Sequence, residues 1–399
     1  MDNNSANLLK SKGVEIIEPA SVHAYDIDPD RIQGPGTVIH PGCRLKGRKL
    51  FIGAGCEIGR QGPVTLTDCW LAPDVKLEGG VFQGAVFLKG AKFGPNGQVR
   101  PGTILEEHAS AAHAVGLKQT ILFPYVTLGS LINFCDCLMT GGTGPENHSE
   151  VGSSYIHFNF TPNQDKATAS LIGDVPRGVT LRENPIFLGG QGGLVGPCRL
   201  AFGTVVAAGT IWRKDLLKED RLVADAPGRS INLPFKKGNY TGLNRIVENN
   251  LVYLANITAL FHWYLRVRSY FVGGNLPKEV YDGLLETLNL HLDERIARLG
   301  QLAEKASSGR SSGLHSALRQ SWPELEIILQ DFRNHTGNSE MLKAWMDVLQ
   351  NTYKDDYLAV IKSLGSARAR LASRWLRSIV RQVLEKAGEV LPGIRADLI

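Results

Sequence analysis

No run of about 18 apolar residues occurs anywhere in the chain, so the sequence offers no membrane span. The most apolar region, 251–272, is interrupted by Asn256, His262, Arg266 and Arg268 and reads as a buried helix. The start, Met1-Asp-Asn-Asn-Ser-Ala-Asn, lacks both the basic and the apolar segments of a secretory signal. Cysteine is scarce and one-sided, with Cys43, Cys56, Cys69, Cys135, Cys137 and Cys198 all in the first half. Their spacings fit neither a zinc site nor a C-x-x-C redox pair, so no metal is expected; small buried thiols in a reducing cytoplasm are. Excess positive charge is slight: 44 Lys and Arg against 39 Asp and Glu, a formal net charge of +5. That suits anionic small ligands such as phosphates and falls short of the cationic density of a nucleic-acid binder. With 399 residues, 43% hydrophobic and 21% charged, the chain has an ordinary globular composition and room for two domains.

What is present is a period. Val75, Val81, Phe87, Phe93, Val99 and Leu105 fall at a spacing of six, with Gly, Pro and short polar residues between. Neither the 3.6-residue helical period nor strand alternation produces that pattern. A six-residue repeat marks a β-helix, each hexad laying one short strand on one side of a prism. The pattern begins near Ile39 and Leu45 and slips by one into Ile52, Ile58, Val64 and Trp70. Further registers appear at Leu122, Leu128 and Phe134, and at Leu188, Leu194, Leu200, Val206 and Trp212. The stretch 140–164, rich in Gly, Asn, Pro and His, breaks the repeat and reads as a functional loop.

Residues 1–30 hold few apolar anchors and read as a lead-in or cap; 31–225 form the β-helix. From Leu243 onward apolar residues recur at helical spacing in five stretches, so 240–399 is expected to be an α-helical domain. Its last helix carries Arg368, Arg370, Arg374, Arg377 and Arg381, a solvated face or a surface for a protein partner.

The polar residues within the hexads have an order that resembles one family. Arg100-Pro-Gly-Thr, Lys118-Gln-Thr-Ile-Leu, Phe158-Asn-Phe, Leu171-Ile-Gly-Asp, Leu188-Gly-Gly, Leu194-Val-Gly-Pro, Ala207-Ala-Gly-Thr and Lys214-Asp carry the likeness. They are similar to the acetyltransferase half of the bifunctional bacterial enzyme that makes UDP-N-acetylglucosamine, over roughly residues 35–216. The resemblance implies a left-handed parallel β-helix with three hexads per coil, an exception to the right-handed crossover rule. It further implies a homotrimer with sites between adjacent solenoids, acetyl-CoA or another acyl-CoA as co-substrate, and a sugar phosphate or nucleotide sugar as acceptor. The family's other half, an α/β nucleotide-binding domain, has no counterpart here, so uridylyl transfer is not expected.

With three hexads per coil, residues 18 apart stack, and Arg100 and Lys118 are 18 apart. Two cations so close suggest an anion between them, and in the family these positions grip the acceptor's phosphate. Two solvated surface cations are the plainer alternative. Asn159 matches an Asn that holds the acceptor sugar; Phe160 keeps the ring of a family Tyr and loses its hydroxyl. Asn133 stands where the family has another Tyr, in the acceptor-binding set. Gly190, Ala207 and Ala208 match positions where small residues admit a pantetheine arm close to the backbone. The family's catalytic His falls on Ser130, and a lone Ser is no proton acceptor for an attacking amine. Either another histidine has moved in, with His157 the candidate base ahead of His148 and His113, or the site binds without catalysing.

Overall fold

A computed structural model describes residues 3–224, 240, 242–305, 313–350 and 356–391. Its first half is a parallel β-solenoid of about 11 turns, a left-handed β-helix, and a helical region follows. Three flat faces follow one another along the chain. The first face is a single sheet of 11 strands running from Glu15–Ile16 to Leu222–Val223. Its inward ladder reads Ile16, Ile39, Ile58, Leu77, Phe93, Ala111, Leu128, Val151, Leu188, Val206 and Val223. Each rung lies over the last at the ~4.8 Å spacing of hydrogen-bonded strands. The expected lead-in is thus a helix, α1 (Asn3–Ser11), followed by the first coil, and α1 closes the end of the prism with buried Leu9.

Coil length varies, which is why the hexads slip. Lys76 pairs with Lys92, Lys92 with Ser110, and Ser110 with Thr127, so the middle coil of these matches three full hexads and the coils on either side are shorter. Two expectations change as a result: Trp70 lies on the outward ladder beside Val86 with its neighbour Leu71 inward, and Val81 is turned over in the same way. Val81 lies on the outward ladder beside Gln98, and its neighbour Phe82 points inward over Val99 and packs edge-on against Phe87 and Phe93. The other registers hold: Leu122, Leu128, Phe134, Leu188, Leu194, Leu200 and Val206 are all buried. The break at 140–164 is narrower than expected. A two-stranded hairpin (Gly142–Gly144 with Asn147–His148) protrudes, and Glu150–Val151 and Ile156–Phe158 already rejoin the coils.

The third face is apolar on both sides. Its outward ladder, Phe51, Trp70, Val86, Ile104, Ile121, Leu138 and Leu171, is as buried as the inward one. A strand apolar on both sides needs a layer over each, and the helical region supplies the second. Its elements are α3 (Leu243–Arg266), α4 (Lys278–Lys305), α5 (Gly313–Gln330), α6 (Ser339–Gln350), α7 (Tyr357–Ser363) and α8 (Ser366–Val390); a short α2 (Val175–Gly178) belongs to the solenoid. Helix α4 lies on the third face, with Gly283 against the Trp70 indole; a Cβ there would come within 2.5 Å of the ring. A buried cluster fastens the two layers. Arg268, 0% exposed, pairs with Glu106 (2.7 Å) and Glu107, and Tyr264 donates to Glu106 (2.6 Å). Burial pushes the Glu106 carboxyl up to about 7, with Arg268 pulling it down and Glu107 adding to the rise.

Candidate functional site

Arg100 and Lys118 do stack. Val99 pairs with Leu117 in adjacent coils, and the Arg100 amide donates to the Leu117 carbonyl at 2.9 Å, which sets Lys118 directly over Arg100. Both lie at the corner where the second face turns into the third. Cys135 continues the column, since Lys118 pairs with Cys135. The Arg100 guanidinium reaches past one coil to within 4.0 Å of the Cys135 sulfur, and the thiol donates to Asn133 Oδ1 at 3.1 Å. Burial pushes that thiol's pKa up, Asp136 adds to the rise, and Arg100 opposes it. Arg100, Gln98 and Asn133 line a groove of about 310 Å³ on the second face.

The corner continues upward into the sugar-site candidates. Asn133 pairs with Ile156, so the turn after Phe158 rises above Asp136. Asn159 Nδ2 accordingly donates to Asp136 Oδ2 at 2.8 Å, which orients the amide. Phe160 is 66% exposed beside it. Arg100, Lys118, Asn133, Asn159 and Phe160 therefore gather on one corner and its adjoining face.

His157 is placed differently from the expectation of a surface base. It occupies a rung of the second face's inward ladder, between Phe134 and Leu194, and is 1% exposed. Its Nε2 meets the Ser170 hydroxyl at 2.8 Å, and burial drives its pKa down to about 4. A ring sealed inside the prism cannot meet an acceptor on the outside, so this histidine is a core residue. His148 lies on the protruding hairpin, its Nδ1 on the Pro145 carbonyl at 2.7 Å.

At the opposite edge of the second face a different column forms. The amides of Gly94, Ala112, Gly129, Gly152, Gly189 and Ala207 each donate to the equivalent carbonyl one coil on. The residues that follow them, Pro95, His113, Ser130, Ser153, Gly190 and Ala208, therefore share one corner. Ser130 thus stands in line with the small residues Gly190, Ala207 and Ala208. His113, one coil below, places Nδ1 at 2.8 Å from Ser130 Oγ, and this pair is at the surface. Gly190 has a structural reason to be glycine, since a Cβ would lie 2.8 Å from the Ser153 carbonyl oxygen.

Sequence reasoning missed the contribution of α4. Glu294 sits 3.8 Å from Lys118 Nζ, bonded to Arg298 at 2.8 Å, and Arg295 holds the buried Asp136 at 3.0 Å. Burial works against ionisation of Glu294, but Arg298, Arg295 and Lys118 together hold its carboxyl below the usual range. His291 donates from Nδ1 to the Gly102 carbonyl (3.1 Å) and accepts from Tyr253. Between α4 and the corner lies an open groove of about 710 Å³, lined by Lys118, Gln119, Asp293, Glu294 and Arg298 among others. Of the two stacked cations, Arg100 faces the bare groove and Lys118 the one walled by the helical region. Helical periodicity showed the α4 helix; nothing in it signalled that positions 294, 295 and 298 close on residue 118.

No protein-family model matches the chain. Among curated proteins it is 28% identical over 209 residues to the bifunctional protein GlmU of Pelobacter propionicus, covering 52% of this chain and 40% of that protein. It is 27% identical over 250 residues to GlmU of Nitratidesulfovibrio vulgaris (59% and 49%), and 33% over 150 residues to GlmU of Thermus thermophilus (37% and 30%). The solenoid resembles the β-helix of GlmU. That likeness suggests an acyltransferase-like domain built of hexapeptide repeats. The chain spans less than half the length of these GlmU relatives. Among the described residues no helix is long and apolar enough to cross a membrane. The six cysteines are all free and buried.

Proposed function

We propose that the solenoid transfers an acyl group, acetyl in the simplest case, from a CoA thioester to an amino sugar bearing a phosphate or a nucleotide. The observation that carries this reading is the stack of Arg100 and Lys118 on adjacent coils, a two-cation column that suits a phosphate group. Asn159, oriented by Asp136, and Asn133 on the same face present amide groups to the sugar's hydroxyls, and Phe160 offers an exposed ring. The column Gly190, Ala207 and Ala208 gives a pantetheine arm close access to backbone donors and acceptors. Exposed apolar side chains on the last coils, Phe187, Val205 and Leu222 on the first face and Ile156 and Ile211 on the second, favour a homotrimer that would cover them. Buried unpaired thiols fit a reducing cytoplasm.

The test is release of free CoA, followed with a thiol reagent, from acetyl-CoA mixed with glucosamine phosphates and UDP-amino sugars. Acceptor-dependent release that is lost in Arg100→Ala supports the reading; no release with any acceptor overturns it. A second reading has its own support. Glu294 already neutralises Lys118, and no imidazole stands at position 130, as expected of a solenoid that binds sugar nucleotides as a scaffold without turning them over. Binding that survives without CoA release distinguishes it.

A further inference from the structure

Resting on the acyl-transfer reading, we propose that His113 is the general base of this site and that Ser130 positions it. The pair belongs to the corner that also carries Gly190 and Ala208, and the second face joins that corner to Arg100 and Asn133 by one short strand, ~10 Å for three residues. His113 and Ser130 meet because the coil between them falls one short of three hexads, as the Ser110–Thr127 and Gly116–Asn133 pairings show. The Leu131 amide donates to the His113 carbonyl at 3.0 Å, and the Ser130 amide donates to Ser153 Oγ at 3.1 Å, so both backbones are pinned. At 2.8 Å the two side chains hold each other, and the ring stays open to solvent. An exposed imidazole anchored through one nitrogen is the arrangement proton transfer needs.

In the assigned tautomer Nδ1–H donates to Ser130 Oγ, and the Nε2 lone pair is left for the acceptor. The acceptor's amino nitrogen attacks the thioester carbonyl carbon. Its proton passes to Nε2 as the C–N bond forms. The C–S bond then breaks, and the departing thiolate takes that proton from the imidazolium, leaving amide, free CoA and neutral His113. Arg100 and Lys118 hold the acceptor's phosphate throughout and take no proton.

The test compares wild type with His113→Ala, His113→Asn, Ser130→Ala and the double variant H113A/S130H, using acetyl-CoA and whichever amino-sugar phosphate gives CoA release. His113→Asn preserves a hydrogen bond to Ser130 and guards against misfolding. Both His113 variants should lose at least about 100-fold in kcat with KM for the acceptor within about threefold. Ser130→Ala should lose about tenfold in kcat at unchanged KM, and H113A/S130H should regain turnover because its imidazole stands one coil higher on the same corner. Wild-type turnover that survives in His113→Ala and His113→Asn overturns the assignment and leaves the acyl-transfer reading standing. A wild type that is inert, with turnover appearing only in H113A/S130H, overturns it too and shows that the base has been lost. An inert wild type and inert variants overturn both.

Discussion

Glu294→Gln should tighten binding of a phosphorylated amino sugar. Lys118 Nζ and the Glu294 carboxylate are 3.8 Å apart, their side chains 30% and 25% exposed. Coulomb's law at an effective dielectric of 20 gives about 4 kcal/mol for such a pair. Measured pairs with this much solvent contact deliver about 0.5–1 kcal/mol after desolvation and side-chain entropy. A phosphate entering the Arg100–Lys118 column competes with that carboxylate for Lys118. Removing only the charge should therefore lower the Kd for glucosamine 1-phosphate by roughly two- to fivefold, at about 1.4 kcal/mol per factor of ten. The gain should shrink in high salt, because the liberated charges are partly exposed. Gln keeps the shape of Glu and a hydrogen bond to Arg298, so α4 should stay in place. The assay is isothermal titration at low and high salt. A Kd that is unchanged or raised in Glu294→Gln would refute the idea that this carboxylate occupies part of the anion site.

Three further outcomes concern the join between solenoid and helices and the buried histidines. Arg268→Met leaves Glu106 and Glu107 buried without their cation and should cost about 3–5 kcal/mol in urea unfolding, partly recovered by adding Glu106→Gln and Glu107→Gln. Gly283→Val drives a side chain into the Trp70 indole, and an overpacked contact of that kind should cost about 1–3 kcal/mol or lift α4 from the third face, seen as faster proteolysis of the helical region. Acid should destabilise the fold through two buried histidines. His157 is held down to about 4 and His291 to about 3, both chiefly by burial. Each binds its proton more readily when unfolded, near the ordinary ~6.5. Their contribution is complete above that value and is lost as pH falls toward the folded values, so the urea midpoint should drop between about pH 7 and 4 and drop less in His157→Phe.

The solenoid was legible because its inward ladders are made of single apolar residues at nearly fixed spacing. Ile39, Leu45, Leu188, Leu194, Leu200 and Val206 were each read onto the correct side. Trp70 and Val81 fall on the outward side because coils longer or shorter than three hexads break the count, and a one-residue slip turns a side chain over. Phe51-Ile52, Trp70-Leu71, Val86-Phe87, Ile104-Leu105, Ile121-Leu122 and Leu138-Met139 are apolar doublets at third-face positions, and a doublet says that both sides of the strand are covered. Reading them would have placed the helices over that face. Stacking of Arg100 on Lys118 follows from coil arithmetic and was readable. The burial of His157 was not readable, since strand alternation in Ile156-His157-Phe158 would turn the two apolar residues inward, and the fold turns them outward. The contact of Glu294 with Lys118 joins positions far apart in the chain through the docking of a whole domain, and no local pattern encodes it. His113 meets Ser130 only because that coil falls one short of three hexads, a difference the averaged repeat conceals.

The most direct measurement compares glucosamine 1-phosphate with unphosphorylated glucosamine by calorimetry, on wild type and on the double variant R100A/K118A. A two-cation column predicts at least about tenfold tighter binding of the phosphate ester to wild type, and loss of that preference in the double variant. Equal binding of the two sugars by wild type, or a preference that persists without both cations, would contradict it.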